Sequence, residues 1–177
     1  MLLLDARAGL HDIGAAAVSQ LGAEVFLFAR DEPQSWLAWG LLLEHLAKSK
    51  GVQYGMPNED LRWRLKMVAA QIDRTEEALG CWVDSSYDQW SALYDDESKG
   101  ADGGPSAQTF VRDDPDAPHH PLPIYFDGGL RGMSLAHVSK RPPWPAVESA
   151  FDLFLKAASE RLLPDEDGRT DPSRGGA

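Results

Sequence analysis

Two apolar runs near the start of the chain limit the folds open to it. Leu2–Leu4 and Ala23–Ala29 lack the regular polar alternation of a strand with one solvated face. Strands buried on both faces occur mainly in parallel sheets covered by helices. Helices are predicted over 11–21 and from Pro33 to Lys50, so strand and helix alternate. This order predicts an α/β fold with a mostly parallel sheet flanked by helices.

The next segment, 57–97, is predicted to be a helical insertion. Its first helix is indicated by apolar residues at helical spacing: Leu61, Leu65, Val68, Ile72 and Leu79. A second helix carries a stripe formed by Val83, Tyr87, Trp90 and Tyr94. A stripe of this kind is interpreted as core, with binding of a partner or stacking on a base as the alternative.

The last third of the chain is predicted to contain a loop, a strand and a helix. Residues 98–121 form the predicted acidic flexible loop, which is rich in Asp, Gly and Pro. A short strand over Pro123–Phe126 and a closing helix after Pro145 follow. Residues 1–163 are therefore predicted to form a single α/β domain, and 164–177 a disordered tail.

Composition excludes several classes of function. The net charge of −11 argues against direct binding of nucleic acid or an anionic membrane, because phosphate contacts need clustered Lys and Arg. The single cysteine, Cys81, excludes an internal disulfide and is not expected to be catalytic. Since no signal peptide is recognisable and the most apolar stretch, Trp36–Leu43, is too short to span a bilayer, a cytoplasmic protein is expected.

One short motif carries chemistry. The apolar run Leu2–Leu4 ends in Asp5 and is followed at once by Arg7, Ala8 and Gly9. A strand of this type delivers a carboxylate to the carboxyl edge of the sheet, where ligands bind in open α/β folds. The alternative is structural: Asp5 caps a turn or the helix that begins near residue 11.

The segment Leu3–Gly14 resembles the MinD/ParA-like P-loop ATPases, a SIMIBI-class family, and is most similar to their KGGVGR-type variant branch. Ala23–Gln34 resembles the next strand and helix of that family, and Leu122–Asp127 resembles its C-terminal end. The resemblance implies ATP and Mg²⁺ as cofactors.

The same resemblance implies roles for four residues. Asp5 would be the magnesium-side carboxylate and Arg7 a contact of the γ-phosphate, both in the catalytic set. Ala8 and Gly9 would approach the phosphate through their backbone. For Arg7 the alternative is a salt bridge to Asp12 or Asp31, and the two interpretations are equally open.

The chain departs from this family because it contains no G-x-x-x-x-G-K-[ST] or KGG-type phosphate-binding loop. Loss of three charge-assisted bonds of about 1.5–3 kcal/mol each would weaken ATP binding by roughly 5–9 kcal/mol. ATP hydrolysis is therefore expected only if the loop is supplied upstream or by a partner. Without the loop's strand, Leu2–Leu4 would form an exposed edge, which predicts a protein partner or self-association.

Two other functions stay open at this stage. One is a non-enzymatic α/β protein-interaction module, and the other is a truncated or mis-started reading frame. A weak metal site is also conceivable at His119-His120, beside the acidic residues Asp113, Asp114 and Asp116, although a solvated linker is the preferred interpretation of that segment.

Overall fold

The computed structural model describes residues 23–48, 61–94, 110–134 and 137–163, together with Leu3. The elements in chain order are β1 (Val25–Ala29), α1 (Pro33–Lys48), α2 (Leu61–Arg64), β2 (Leu65–Ile72), α3 (Glu76–Trp90), β3 (Leu122–Tyr125) and α4 (Trp144–Leu162). Two single-turn 3₁₀ helices, Gly128–Leu130 and Val138–Lys140, lie between β3 and α4. The predicted α/β class and parallel sheet are confirmed at this level.

The three described strands form one parallel sheet in the order β1-β2-β3. Val25 of β1 is in register with Leu65 of β2, and Val68 of β2 is in register with Leu122 of β3. The β2–β3 register is interrupted between Ala70 and Ile72. Because all three strands run in the same direction, their carboxyl ends lie at one edge of the sheet.

One face of the sheet forms the main core with α1 and α3. The side chains that point to this face come from alternate positions of β1 and β2, as the pleat requires. Their partners are apolar side chains of the two helices. The buried set is Leu27, Ala29, Leu42, Leu43, Leu46, Leu65, Met67, Ala69, Ile72, Trp82, Trp90 and Leu93.

The opposite face of the sheet packs against α4. Phe26 and Phe28 of β1 both meet the ring of Phe154 edge-on, each with 5.7 Å between ring centroids. Ala150 and Ala158 are the buried positions of α4. Arg161, near the end of α4, pairs with Glu24 just before β1, so α4 runs antiparallel to the strands. The predicted closing helix is confirmed.

The prediction of a helical insertion over 57–97 is wrong for Leu65–Ile72, whereas Leu61–Arg64 and Glu76–Trp90 are helical. Leu65–Ile72 is not part of a helix but the central strand of the sheet. Leu79 and Val83, assigned to two separate helices, lie on the single helix α3. The prediction failed because Leu65, Val68 and Ile72 also fit a helical period. In addition, Lys66 interrupts the continuous apolar run that is expected of a strand covered on both faces.

The prediction of a flexible acidic loop over 98–121 is also wrong for its described part. Within residues 110–121, Ala117 and His119 have no exposed surface, and Phe110 is buried. The amide of Met67 in β2 donates a hydrogen bond to the carbonyl of Pro118 at 3.1 Å. The stretch 117–119 is therefore packed against the domain, whereas 111–113 and 115–116 are exposed.

Helix α1 is only partly buried through its apolar stretch, Trp36–Leu43. Leu42 and Leu43 are buried, whereas Leu37 and Leu41 are 66% and 53% exposed. No helix in the described parts of the chain is long and apolar enough to cross a membrane. The predicted helix over 11–21, residues 98–109 of the predicted loop and the tail 164–177 lie outside the described residues.

Candidate functional site at the carboxyl edge of the sheet

Each described strand is followed within two residues by charged residues at the same edge of the sheet, joined after β3 by two glycines. These residues are Arg30, Asp31 and Glu32 after β1, Asp73, Arg74 and Thr75 after β2, and Asp127, Gly128 and Gly129 after β3. In open α/β sheets, ligands bind in the crevice outside the carboxyl ends of the strands. This edge is therefore the candidate functional site.

The end of the central strand has a distorted backbone. Gln71 adopts a φ of 61°, a left-handed conformation that is uncommon for a residue other than glycine. It lies where the register between β2 and β3 shifts, which is the geometry of a β-bulge. The ladder resumes with a hydrogen bond from the Phe126 amide to the Ile72 carbonyl at 2.9 Å. The bulge sets the direction in which the chain leaves β2 toward Asp73 and Arg74.

Arg74 links the ends of two strands to α4. Its guanidinium lies over the ring of Tyr125, the last residue of β3, with Cζ 4.3 Å from the ring centroid. Its Nη2 also donates to the Ser149 hydroxyl at 2.7 Å and to the Ser149 carbonyl. Thr75 then caps α3 by accepting a hydrogen bond from the Ala78 amide at 3.1 Å.

The turn after β3 is closed by its own aspartate. Oδ1 of Asp127 accepts a hydrogen bond from the Gly129 amide at 2.7 Å. A Cβ at Gly129 would lie 3.1 Å from that same Oδ1, so the close turn favours glycine. Arg131 then places its guanidinium 5.2 Å from the ring centroid of Phe126.

The turn after β1 is also held by local contacts. Arg30 pairs with Glu32 at 3.1 Å, and both side chains are exposed to solvent. Asp31 accepts a hydrogen bond from the indole Nε1 of Trp36 at 2.8 Å. Asp31 is thus bound to Trp36, and within the described residues it has no ion pair with an arginine.

The carboxylates of this edge do not gather into one cluster. Among the described residues, no group of three or more His, Cys, Asp or Glu side chains is close enough to hold a metal ion. Asp73 is exposed, whereas Asp31 and Asp127 are engaged by Trp36 and Gly129. The described edge can contribute single carboxylates, two arginines and backbone amides to a ligand.

The four residues predicted for the phosphate and magnesium site lie outside the described residues. Asp5, Arg7, Ala8 and Gly9 all fall in the range 4–22. The structure therefore neither joins them to the described edge nor separates them from it. Their roles stay predictions.

A second polar cluster lies at the amino-terminal side of the sheet and was missed by the sequence analysis. His119 is fully buried, and its Nδ1 is 2.6 Å from the Tyr94 hydroxyl. Its Nε2 is 2.8 Å from the carbonyl oxygen of Arg112, which can only accept, so Nε2 carries the hydrogen. The buried Ser86 hydroxyl donates to the His119 carbonyl at 2.8 Å.

Lys66 is the buried cation of this region. It is only 6% exposed, and its Nζ donates to the carbonyls of Ala117 and Pro115 at 2.8 and 3.4 Å. Burial is the main cause that lowers the pKa of Lys66, and together with the charge of Arg161 it brings this pKa to about 8. In the sequence this lysine reads as a polar position, so no local signal marks its burial.

Three other residues or groups singled out in the sequence lie in described parts of the structure: His119, the aromatic stripe along and just beyond α3, and Cys81. His119 is neither a solvated linker residue nor part of a metal-binding group within the described residues, but a core histidine. The Val83/Tyr87/Trp90/Tyr94 stripe is core as preferred: Val83 and Trp90 are buried, and both tyrosine rings contact His119. Cys81 is exposed.

Comparisons with known proteins identified no relative of this chain. No protein-family model, no curated protein and no solved structure matches the chain. The site is therefore defined by its own geometry alone: three parallel strands that present Arg30-Asp31, Asp73-Arg74 and Asp127-Gly128-Gly129 at one edge.

Proposed function

We propose that this chain is the portion of a MinD/ParA-like P-loop ATPase that lies downstream of the phosphate-binding loop. The single observation that supports it is the all-parallel described sheet, in which every strand ends in charged or glycine residues at one edge. Nucleotide-binding α/β domains hold their ligands at this edge. In full, we propose an acidic, cytoplasmic protein that works by a nucleotide switch.

In this proposal Asp5 lies on the magnesium side of the bound nucleotide. Mg²⁺ is usually held by one or two carboxylates together with waters and substrate phosphates, so one aspartate suffices. Arg7 would contact the γ-phosphate through its guanidinium, whose planar fork suits phosphate oxygens. The backbone of Ala8 and Gly9 would approach the same phosphate.

The described residues would supply the outer part of that site. Arg30 and Arg74 are cations at the same edge, and Gly128-Gly129 allow a close backbone approach after β3. Hydrolysis would require the missing loop from upstream or from a partner, because that loop carries most of the phosphate-binding donors. The complete domain would couple ATP hydrolysis to dimerisation or partner binding through loops ordered by the γ-phosphate.

Titration of this chain with Mg-ATP tests the proposal. We expect binding no tighter than millimolar, because the phosphate-binding loop is missing. Amide shift changes in NMR spectra should map to the carboxyl edge: Arg30-Asp31, Asp73-Arg74 and Gly128-Gly129. Asp5→Ala should reduce the magnesium-dependent part of the binding.

The control for that titration is Asp152→Ala, which removes an exposed carboxylate from α4 and should leave binding unchanged. Micromolar binding that survives Asp5→Ala would refute the role given to Asp5. Shift changes confined to Pro115–Pro121, at the opposite end of the strands, would refute the site itself.

The second candidate function is a non-enzymatic module that associates with a second copy of the chain. It is favoured by apolar side chains exposed on β1 and α1. Phe28 is 50% exposed on β1, the outer strand of the described sheet, and Leu37 and Leu41 are exposed one turn apart on α1. The indole of Trp39 donates to the Phe28 carbonyl at 3.2 Å, which joins α1 to this strand.

Sedimentation velocity tests this second function. Under it, the double variant Leu37→Glu/Leu41→Glu should weaken self-association at least tenfold, because two carboxylates would enter an apolar contact. The matched variant Leu153→Glu/Leu155→Glu changes two exposed leucines of α4 and should have no effect. A wild-type chain that stays monomeric at high micromolar concentration excludes this function.

A further inference from the structure

Segment 110–121 is the longest described stretch without a helix or strand, yet it is pinned to the domain by buried polar contacts. It leads directly into β3, whose first residue is Leu122. Four residues donate hydrogen bonds to the segment: Lys66 and Met67 of β2, Ser86 of α3, and Tyr94 just beyond α3. Most of these bonds converge on the stretch from Ala117 to His119.

His119 is the centre of these contacts, and the ordinary pKa of its imidazole, 6.5, lies just below neutral pH. Its imidazole donates from Nε2 to the Arg112 carbonyl and accepts at Nδ1 from the Tyr94 hydroxyl. Both ring nitrogens are therefore committed in the neutral form. The ring also packs edge-on against Tyr87, with 5.1 Å between centroids, so it is enclosed on its faces as well.

The groups around the imidazole decide which protonation state fits. The imidazole of His119 faces Tyr87 of α3 and Tyr94 just beyond it, and Lys66 of β2. From its own segment it faces Arg112, Asp114 and His120. Burial is the largest effect and lowers the pKa of His119 below its ordinary 6.5. The charges of Lys66 and Arg112 also lower this pKa, whereas the hydrogen bond to the Arg112 carbonyl and the charge of Asp114 raise it. The folded site therefore favours the neutral ring.

We propose that His119 is a pH-sensitive latch: its neutral imidazole holds segment 110–121 against β2 and α3, and protonation of the ring releases the segment. A charged ring at this position would be buried near the positive charges of Lys66 and Arg112. In an opened segment the same ring is solvated and binds its proton at the ordinary pKa. Release would free the amino end of β3, while the carboxyl edge of the sheet lies at the opposite end of the strands.

Hydrogen–deuterium exchange of peptide 110–121, corrected for intrinsic rates, measures the latch. Between pH 7.5 and pH 6.5 the protection factors should be constant. Below pH 6.5 they should fall by up to tenfold per pH unit, the slope for uptake of one proton on opening. In His119→Gln, whose amide can both accept from Tyr94 and donate to the Arg112 carbonyl, protection should not depend on pH.

Two histidine variants serve as controls. His45→Gln, on the exposed surface of α1, should retain the wild-type profile. His120→Gln tests the adjacent half-buried histidine, whose pKa is also lowered by burial. If His120→Gln abolishes the pH dependence and His119→Gln does not, or if the wild-type profile is flat, the proposal is wrong.

A spectroscopic measurement on the wild-type chain keeps the test decisive if His119→Gln does not fold. Imidazole ¹⁵N spectra should give the Nε2–H tautomer for His119 at pH 7.5, and the folded ring should still be largely neutral at pH 6.5, where the loss of protection begins. Tyr94→Phe removes the donor to Nδ1, so protection of 110–121 should be lower at every pH, and its pH dependence should weaken because the folded ring is then easier to protonate. A titration of His119 without any change in protection would overturn the latch.

Discussion

Replacing Trp90 with alanine is expected to lower the free energy of unfolding by about 3–5 kcal/mol, the usual cost of removing a buried aromatic side chain. Trp90 has no exposed surface and belongs to the core between the sheet, α1 and α3. It also lies against Tyr94, with 5.9 Å between ring centroids. Urea denaturation at pH 7 measures the change.

Two variants show whether burial causes that loss. Trp144→Ala removes an indole that is 69% exposed at the start of α4, and it should change stability by less than about 0.5 kcal/mol. Trp90→Phe should cost much less than Trp90→Ala, because the Trp90 Nε1 has no acceptor among the described residues and the phenyl ring retains most of the packing. Equal effects of Trp90→Ala and Trp144→Ala would contradict the core position of Trp90. If Trp90→Ala abolished the binding of a partner, loss of the folded core would therefore be the first explanation, ahead of the loss of a direct contact.

The free energy of unfolding should rise between pH 8 and pH 10 because of Lys66. Burial lowers the pKa of Lys66 to about 8 from an ordinary 10.5. In this window the unfolded chain binds the Lys66 proton and the folded chain has largely lost it, so stability increases with pH. One pKa unit corresponds to about 1.4 kcal/mol, and the expected gain over two units is about 2–3 kcal/mol.

Above pH 10 the trend should reverse because of Tyr94. Burial raises the pKa of Tyr94 above its ordinary 10.0. The phenol of the unfolded chain then ionises first, so stability falls as the pH rises further. The predicted profile has a maximum near pH 10.

Urea denaturation across this range, with Lys66→Met as the comparison, isolates the lysine. Methionine keeps the length of the stem but does not titrate, so the rise between pH 8 and pH 10 should disappear while the fall above pH 10 remains. Tyr94→Phe should reduce that fall and keep the rise. If the wild type and Lys66→Met rise in parallel, another group causes the effect.

The sequence predicted the elements whose pattern does not depend on distant contacts. The apolar run at β1, the start of α1 at Pro33 and the proline-led start of α4 were all predicted close to their observed positions. Local spacing also placed Val83 and Trp90 in the core, because a helix repeats its buried face at fixed intervals.

Local pattern failed where a polar residue is buried by partners far along the chain. Lys66 reads as a polar position, and only the carbonyls of Pro115 and Ala117, about fifty residues later, make its burial in a strand possible. His119 likewise reads as part of an acidic linker until Tyr94 and Ser86 satisfy it. No periodicity within either segment encodes those partners.

The candidate site divides in the same way. The sequence by itself determined that short apolar strands end in polar residues, and that a motif at Asp5, Arg7, Ala8 and Gly9 resembles a nucleotide switch. Only the tertiary structure decided that Leu65–Ile72 is the central strand and that Arg30, Asp73 and Asp127 follow neighbouring parallel strands. The physical reason is that strand order and direction depend on hydrogen bonds between segments 40 or more residues apart, whereas strand ends are marked by the residues themselves.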